Sequence, residues 1–185
     1  MRRATVIALA ILFAAPSARA FDIFTTNPLY DPVMAGDLAK AERVLATGGS
    51  PVETTFDSTG KTPLMLAATA GNDDMVSLLL RYKAKPDTRD EVGNTALSYA
   101  AFGGHREVAT LLLRAGAAPD SENRQGMTPL MLAAQQGRTE VVKILLAKGA
   151  DVTKLDYTGR TALMWAEFNR RTATAAALKL AGAKQ

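Results

Sequence analysis

The stretch Gly60-Lys-Thr-Pro-Leu-Met-Leu-Ala67 decides the fold of this chain of 185 residues. The same pattern, Gly-x-Thr-(Pro/Ala)-Leu-x-x-Ala, begins again at Gly93, Gly126 and Gly159, each time 33 residues further on. A fixed period of this length predicts a stack of like units, each of which buries its apolar face only against its neighbours. The repeat therefore predicts the architecture before any local propensity is considered.

Each copy of the pattern is typical of the start of a short helix. In the first copy, Thr62 is a good N-cap because its hydroxyl can accept a hydrogen bond from an unpaired amide of the first turn. Pro63 suits the first helical position, where no N–H is needed. Gly71 can adopt a positive φ and end this helix. A second helix follows with Val76 and Leu79 on one face, so each unit is predicted to contain two short helices.

An Asp or Asn opens every unit, with a glycine three residues later, which predicts a tight hairpin-like loop between consecutive helix pairs. The period of 33 residues and the Thr-Pro-Leu pattern together resemble the ankyrin repeat. This resemblance implies an all-α ankyrin-repeat solenoid of stacked helix-turn-helix units joined by hairpin-like loops. The implied units are an irregular N-terminal capping repeat at 21–56, repeats at 57–89, 90–122 and 123–155, and a C-terminal capping repeat at 156–185.

The first twenty residues have the plan of a cleavable signal peptide. Arg2 and Arg3 form a basic start, an apolar run follows at 5–15, and a small-x-small site lies at 18–20. The apolar run is too short to span a bilayer, which needs about 20 residues. We therefore expect cleavage after Ala20, export to the periplasm and no stable membrane anchor.

Composition excludes several classes of function. Without the first twenty residues, 19 basic and 18 acidic side chains remain, a net charge of +1, so no basic stripe indicates binding to nucleic acid. The chain has no cysteine and one histidine, His105, which leaves no Cys/His nucleophile and no zinc cluster. We expect no enzyme activity, no catalytic residue, no metal site and no cofactor, and we assign His105 a structural place in a turn.

Methionine occupies an unusual position in the pattern. Met65, Met131 and Met164 stand where the ankyrin pattern normally has histidine, with Ser98 in the remaining unit. We expect core packing, because the thioether side chain adapts to irregular spaces. The alternative is a line of soft sulfur ligands that meets a hydrophobic partner or a soft metal ion such as Cu(I).

The end units depart from the pattern. Pro32 lies inside the first expected helix, which is therefore either broken there or begins at Pro32 with Asp31 as its cap. In the last unit Arg170 replaces the turn glycine, and we expect Asn169 to take the left-handed conformation instead. Trp165 falls at a leucine position and is expected in the core.

Ankyrin-repeat proteins generally recognise other proteins through the loop tips and the exposed side of the first helix of each unit, which form one concave face. The resemblance implies binding of another protein through this face, and we expect the chain to be a monomer. Phe102, Met127, Tyr157 and Phe168 are expected to be exposed anchors, because aromatic and Met side chains dominate interface energetics. The candidate partner-binding residues are Lys61, Arg89, Asn94, Phe102, Arg124, Met127, Gln135, Gln136, Tyr157, Arg160 and Phe168.

Three roles stay open at this point. Exported bacterial ankyrin proteins include some that resemble protectants of oxidant-defence enzymes and some that resemble immunity proteins neutralising a secreted toxin. A small-ligand or soft-metal carrier that uses the methionine line is the alternative from another class.

Overall fold

The computed structural model describes residues 27–49, 52–53, 55 and 58–183, and the predicted signal peptide lies outside these ranges. This part of the chain contains ten α-helices and no strand. In chain order they are α1 Tyr30–Ala35, α2 Leu38–Ala46, α3 Pro63–Ala70, α4 Asp73–Arg81, α5 Ala96–Gly103, α6 Arg106–Arg114, α7 Pro129–Gln136, α8 Thr139–Ala147, α9 Ala162–Phe168 and α10 Thr172–Leu180. The expectation of an all-α solenoid is confirmed.

The helices form two layers. The inner helices α1, α3, α5, α7 and α9 pack on one another in that order, and the outer helices α2, α4, α6, α8 and α10 do the same. Each inner helix also packs on the outer helix that follows it in the chain. The core is therefore a continuous strip between the layers, to which each unit adds a segment. None of the helices in the described ranges has the length and apolar character needed to cross a membrane.

A threonine begins the inner helix of each regular unit. The hydroxyl of Thr62 accepts a hydrogen bond from the Met65 amide at 3.3 Å, as predicted for the N-cap. The sulfur of Met65 in turn accepts the amide of Thr62 at 3.5 Å. Thr95, Thr128 and Thr161 make the same bond to the amide three residues later.

Small side chains set the distance between inner helices. Ala67 and Ala68 of α3, like Ala100 and Ala101 of α5, are fully buried. Because an alanine side chain ends at Cβ, adjacent inner helices can approach each other closely. Leucines fill that layer, and complete burial of one such as Leu79 contributes about 1.5–3 kcal/mol.

Both expectations about the end units are wrong. Helix α1 begins at Tyr30, so Pro32 lies in its first turn, where no intrahelical bond needs its missing N–H. In the last unit Arg170 itself is left-handed with φ of 56°, whereas Asn169 has φ of −91°. The turn there keeps the backbone hydrogen bonds that surround the glycine of the other units, so the position in the turn decides the conformation.

Lys83 is the second left-handed residue that is not glycine, with φ of 67°. It ends the outer helix of its unit, at the position that Gly116 and Gly149 occupy in later units. A left-handed conformation costs a residue with a Cβ roughly 1–2 kcal/mol, so Lys83 and Arg170 are points of local strain.

Three ladders of hydrogen bonds join one unit to the next. The first, the tip ladder, runs between backbone groups of the loops: Glu91 N–H to Thr59 O at 2.9 Å, Arg124 N–H to Val92 O at 3.0 Å and Tyr157 N–H to Gln125 O at 3.0 Å. The second, the rear ladder, runs from backbone amides to carboxylates of the preceding unit: Lys85 to Glu53 at 2.6 Å, Ala118 to Asp87 at 2.9 Å and Asp151 to Asp120 at 3.0 Å.

The third, the turn ladder, lies where inner and outer helices meet. His105 Nε2 donates to the Thr69 carbonyl at 3.1 Å, so the expectation that this histidine is structural is confirmed. Arginine makes the same bond in the next two units: Arg138 Nε to Phe102 O at 3.2 Å and Arg171 Nε to Gln135 O at 3.3 Å. Side chains at one register, 33 residues apart, therefore fix the end of each preceding inner helix.

Candidate functional site

One register position in the last turn of each regular inner helix holds a side chain that is exposed or half-buried. These positions form what we name the inner wall: Thr69, Phe102, Gln135 and Phe168. Phe102 is 47% exposed and Phe168 is 69% exposed, so the expectation that both are accessible is confirmed. Nine large apolar side chains are exposed among the described residues, and two of them, both phenylalanines, share the register of this wall, which marks it as a candidate contact surface.

A pocket of about 330 Å³ lies beside the inner wall, between the units of α5 and α7. It brings together four of the candidate residues, Asn94, Phe102, Met127 and Gln135, with Ser98, Tyr99, Asn123, Gln125 and Leu132. The pocket is floored by apolar side chains and rimmed by amides, which is typical of a surface that receives a mixed apolar and polar ligand group. Gln136 is half-buried and does not line it.

Met127 is buried at 5% exposure, and the expectation that it is an exposed anchor is wrong. The same position after the tip glycine is half-buried at Lys61, Asn94 and Arg160, so its side chain turns toward the inner helices in every regular unit. The cationic ends of Lys61 and Arg160 lie over aromatic rings, whereas the uncharged Met127 packs among the side chains that line the pocket.

A second hollow, of about 570 Å³, lies at the loop tips. It brings together the candidates Arg89, Arg124 and Tyr157, and the tyrosine is 74% exposed as expected. Arg89 donates to a backbone carbonyl of the next unit, and Arg124 pairs with Glu91 at 3.7 Å. Both partners of that ion pair are largely exposed, so the pair orients the tips without adding much stability.

The candidates Arg160 and Phe168 meet at the last unit. The guanidinium of Arg160 lies 4.9 Å from the Trp165 ring centroid and 5.2 Å from that of Phe168. The two rings meet edge to face, with centroids 6.1 Å apart. Trp165 is half-buried: it packs against the core as expected, but it lies at the edge of the core, where this arginine covers its ring. We name these three residues the arginine clamp.

Asp156 holds Trp165 of the clamp in place through a hydrogen bond. Its Oδ2 accepts the indole N–H of Trp165 at 2.8 Å, while its Oδ1 accepts the amides of Thr158 and Arg160 at 2.8 and 3.0 Å. Burial by itself raises the pKa of Asp156, but the hydrogen bonds from Arg160, Thr158 and Trp165 outweigh it and leave the pKa below its usual 3.8. The aspartate is therefore a charged anchor for the indole ring.

Tyr99 holds the matching place two units earlier, where its hydroxyl donates to Asp90 and the Lys61 ammonium lies 4.9 Å from its ring centroid. The sequence interpretation missed Tyr99 and gave Trp165 to the core. A signal for both exists, because each donor side chain follows a unit-opening aspartate by nine residues. In the unit opened by Asn123, that position is a leucine.

The methionine line does not form an accessible surface. Met65 and Met131 are each 1% exposed and lie in the core, and Met164 is half-buried. The core-packing expectation is confirmed for the first two residues. Among the described residues, no group of three or more His, Cys, Asp or Glu side chains is placed to hold a metal ion.

Comparison with known families agrees with this geometry. A family model described as ankyrin repeats (3 copies) matches residues 29–123 and residues 104–184, which together span most of the chain. No curated protein matches the chain significantly.

Proposed function

Because the chain belongs to the ankyrin-repeat family, we propose that it binds a protein partner in the periplasm through its inner wall and loop tips and catalyses no reaction. Ankyrin repeats are protein–protein interaction modules, and members of the family are typically non-enzymatic scaffolds.

The exposure of Phe102 and Phe168 supports the inner wall as the binding surface. At 47% and 69% exposed, both rings are accessible to solvent, and the turn ladder fixes the backbone at Phe102 through its carbonyl. Rigid aromatic side chains supply large contact areas at little conformational cost, which is why such residues dominate binding energy in interfaces.

The basic start, apolar run and small-x-small site of residues 1–20 support export. N-terminal sequencing of the protein from a periplasmic fraction tests this part of the proposal. A chain that begins at Phe21 is expected. Retention of the protein in the cytoplasm would contradict export, whereas an intact leader would contradict cleavage; either result leaves the binding surface to be tested by itself.

Within the binding class, we propose protection of an oxidant-defence enzyme as the role. Capture of a catalase or peroxidase by the purified protein, with slower inactivation of that enzyme by its oxidant, supports this role. Capture of a toxin domain with loss of its toxicity would replace protection with immunity.

The binding surface is tested with paired variants. Phe102→Ala combined with Phe168→Ala is expected to abolish partner capture from a periplasmic extract, since it removes both rings from the inner wall. Glu107→Ala combined with Lys143→Ala, on the outer helices, serves as the control and is expected to leave capture intact. Equal capture by the two double variants would show that the partner binds elsewhere.

A further inference from the structure

Charge is divided along the stack. Residues 21–122 carry nine basic and fourteen acidic side chains, a net charge of −5. Residues 123–185 carry ten basic and four acidic side chains, a net charge of +6. The near-neutral total therefore hides two halves of opposite sign, and a partner that contacts the two C-terminal units meets a strongly positive surface.

Part of this positive charge borders the inner wall of those two units on both sides. At the turn ladder, Arg138 and Arg171 replace the Asn72 and His105 of earlier units, and both arginines are exposed. Their Nε atoms bind backbone carbonyls, which fixes each guanidinium beside the wall. At the tip edge lies Arg160 of the arginine clamp. A strip of aromatic and amide groups thus runs between fixed guanidinium groups.

The clamp presents a cation without an acidic partner. Arg160 forms no ion pair with any carboxylate of the described residues. The nearby Asp156 uses both oxygens on its own loop and on Trp165, and Glu167 pairs with Lys179 at 2.8 Å. Contact with two rings positions the guanidinium of the half-buried Arg160, and a guanidinium can bind a carboxylate through two parallel hydrogen bonds.

We propose that the C-terminal half of the inner wall binds an acidic segment of the protein partner. A carboxylate of that segment pairs with Arg160, and an aromatic or aliphatic side chain beside it packs on Phe168. Arg138 and Arg171 attract further carboxylates of the same segment. This inference rests on the proposed function, because it names the chemistry of the partner that the inner wall receives.

The structure explains why this surface selects for charge as well as for apolar area. The clamp is held by the Trp165–Asp156 hydrogen bond, and the Asn169 amide also donates to the Trp165 carbonyl, at 2.9 Å. Since these side chains are already ordered, binding a carboxylate costs little further conformational entropy. Complementary charge of this kind raises the association rate and makes the affinity depend on salt.

A library of short random peptides displayed on phage, panned against the purified protein, tests the inference. Selected peptides are expected to be enriched in Asp and Glu next to Phe, Leu or Tyr. A synthetic peptide of the selected sequence should shift the fluorescence of Trp165, the one tryptophan of the chain, and its binding should weaken as NaCl is raised.

Variants distinguish the contribution of the Arg160 guanidinium to binding from the effect of net charge. Arg160→Gln is expected to lower the affinity for the selected peptide by about tenfold or more. Arg160→Lys should lower it by less, because lysine keeps the charge but not the planar pair of donors. Arg106→Gln combined with Arg114→Gln, on the outer helix α6, is the control for net charge and should change the affinity little. Circular dichroism checks that each variant is folded.

Two results overturn the inference in distinguishable ways. Peptides without acidic enrichment, or acidic peptides that bind Arg160→Gln as well as the parent, refute the acidic partner while the inner wall remains a binding surface. Peptides that bind Phe102→Ala/Phe168→Ala undiminished refute the proposed function as well, because binding then lies elsewhere.

Discussion

Arg138 Nε donates a hydrogen bond to the Phe102 carbonyl at 3.2 Å and so joins an outer helix to the inner helix of the preceding unit. Arg138→Ala is expected to lower the free energy of unfolding by about 0.5–1.5 kcal/mol. Arg138→His should recover part of this loss, since His105 makes the same bond one unit earlier. Urea unfolding followed by circular dichroism measures the effect.

Lys143 offers the control for that variant. It is an exposed cation on α8, paired with Glu140 at 2.8 Å one helical turn away. Its replacement by alanine should change the free energy of unfolding by less than about 0.5 kcal/mol. If Arg138→Ala and Lys143→Ala were equally mild, the turn ladder would add nothing to stability.

The left-handed residues predict a gain in stability. Lys83→Gly and Arg170→Gly should each raise the free energy of unfolding by about 0.5–1 kcal/mol, because glycine adopts a positive φ without a Cβ clash but loses more chain entropy on folding. Lys148→Gly is the matched control, since Lys148 has φ of −101° and gains nothing from glycine. Thermal unfolding of the three variants gives the comparison, and equal shifts would argue against strain.

Stacking predicts an asymmetry between two equivalent positions. Ala101 is fully buried between inner helices, whereas Glu167 at the same register of the last unit pairs with Lys179. Ala101→Glu is expected to destabilise the protein by several kcal/mol, since it places a carboxylate in the core. Glu167→Ala should cost less than about 1 kcal/mol.

Ala101→Leu provides a second measurement should Ala101→Glu fail to fold. Overpacking at this site is expected to cost about 1–3 kcal/mol. Chemical denaturation of Ala101→Leu and Glu167→Ala under the same conditions decides the point. A mild effect of leucine at Ala101 would mean that the inner helices are not closely packed there.

The lowered pKa of Asp156 predicts part of the loss of stability at acidic pH. Its pKa is lower in the folded protein than the usual 3.8, so its carboxylate stabilises the fold above pH 3.8 and loses this contribution as the pH falls through the folded pKa. Asp156→Asn should therefore show a smaller loss of stability between neutral and strongly acidic pH. Asparagine keeps the loop bonds, because Asn123 accepts the matching amides in the preceding unit, but its Nδ2 cannot accept the Trp165 indole N–H, so the variant also loses that bond at every pH.

Trp165 fluorescence provides the measurement for Asp156, since its indole N–H donates to this carboxylate. Urea midpoints at neutral and acidic pH are compared for the parent chain and Asp156→Asn. An identical pH dependence of the two would mean that other carboxylates control the acid response.

The parts of the fold that repeat could be predicted from sequence, because repetition makes local rules visible. Thr62 caps its helix and Gly71 ends it, as their types and spacing indicate. Prediction failed where a unit keeps the backbone conformation of its neighbours but has a different residue type at that position. Arg170 takes the conformation of the missing glycine because neighbouring units fix the turn, and local preference alone favours Asn169.

The candidate site was less accessible to sequence reasoning. Exposure of Phe102, Tyr157 and Phe168 follows from their register, but burial of Met127 depends on the apolar floor beneath it. The arginine clamp joins residues of a loop and a helix whose contact only the folded unit shows. The division of charge was visible in the sequence but was lost when charge was summed over the whole chain.

The three ladders share one sense. In all nine bonds the later unit supplies the hydrogen and the earlier unit supplies the oxygen. The stack therefore has a direction: its two ends offer different hydrogen-bonding groups and are not interchangeable as docking faces. A further unit grafted after α10 would have to bring donors, whereas one grafted before α1 would have to bring acceptors. Lengthening such a protein by duplication keeps this sense automatically, because every copied unit carries both sets at the same register.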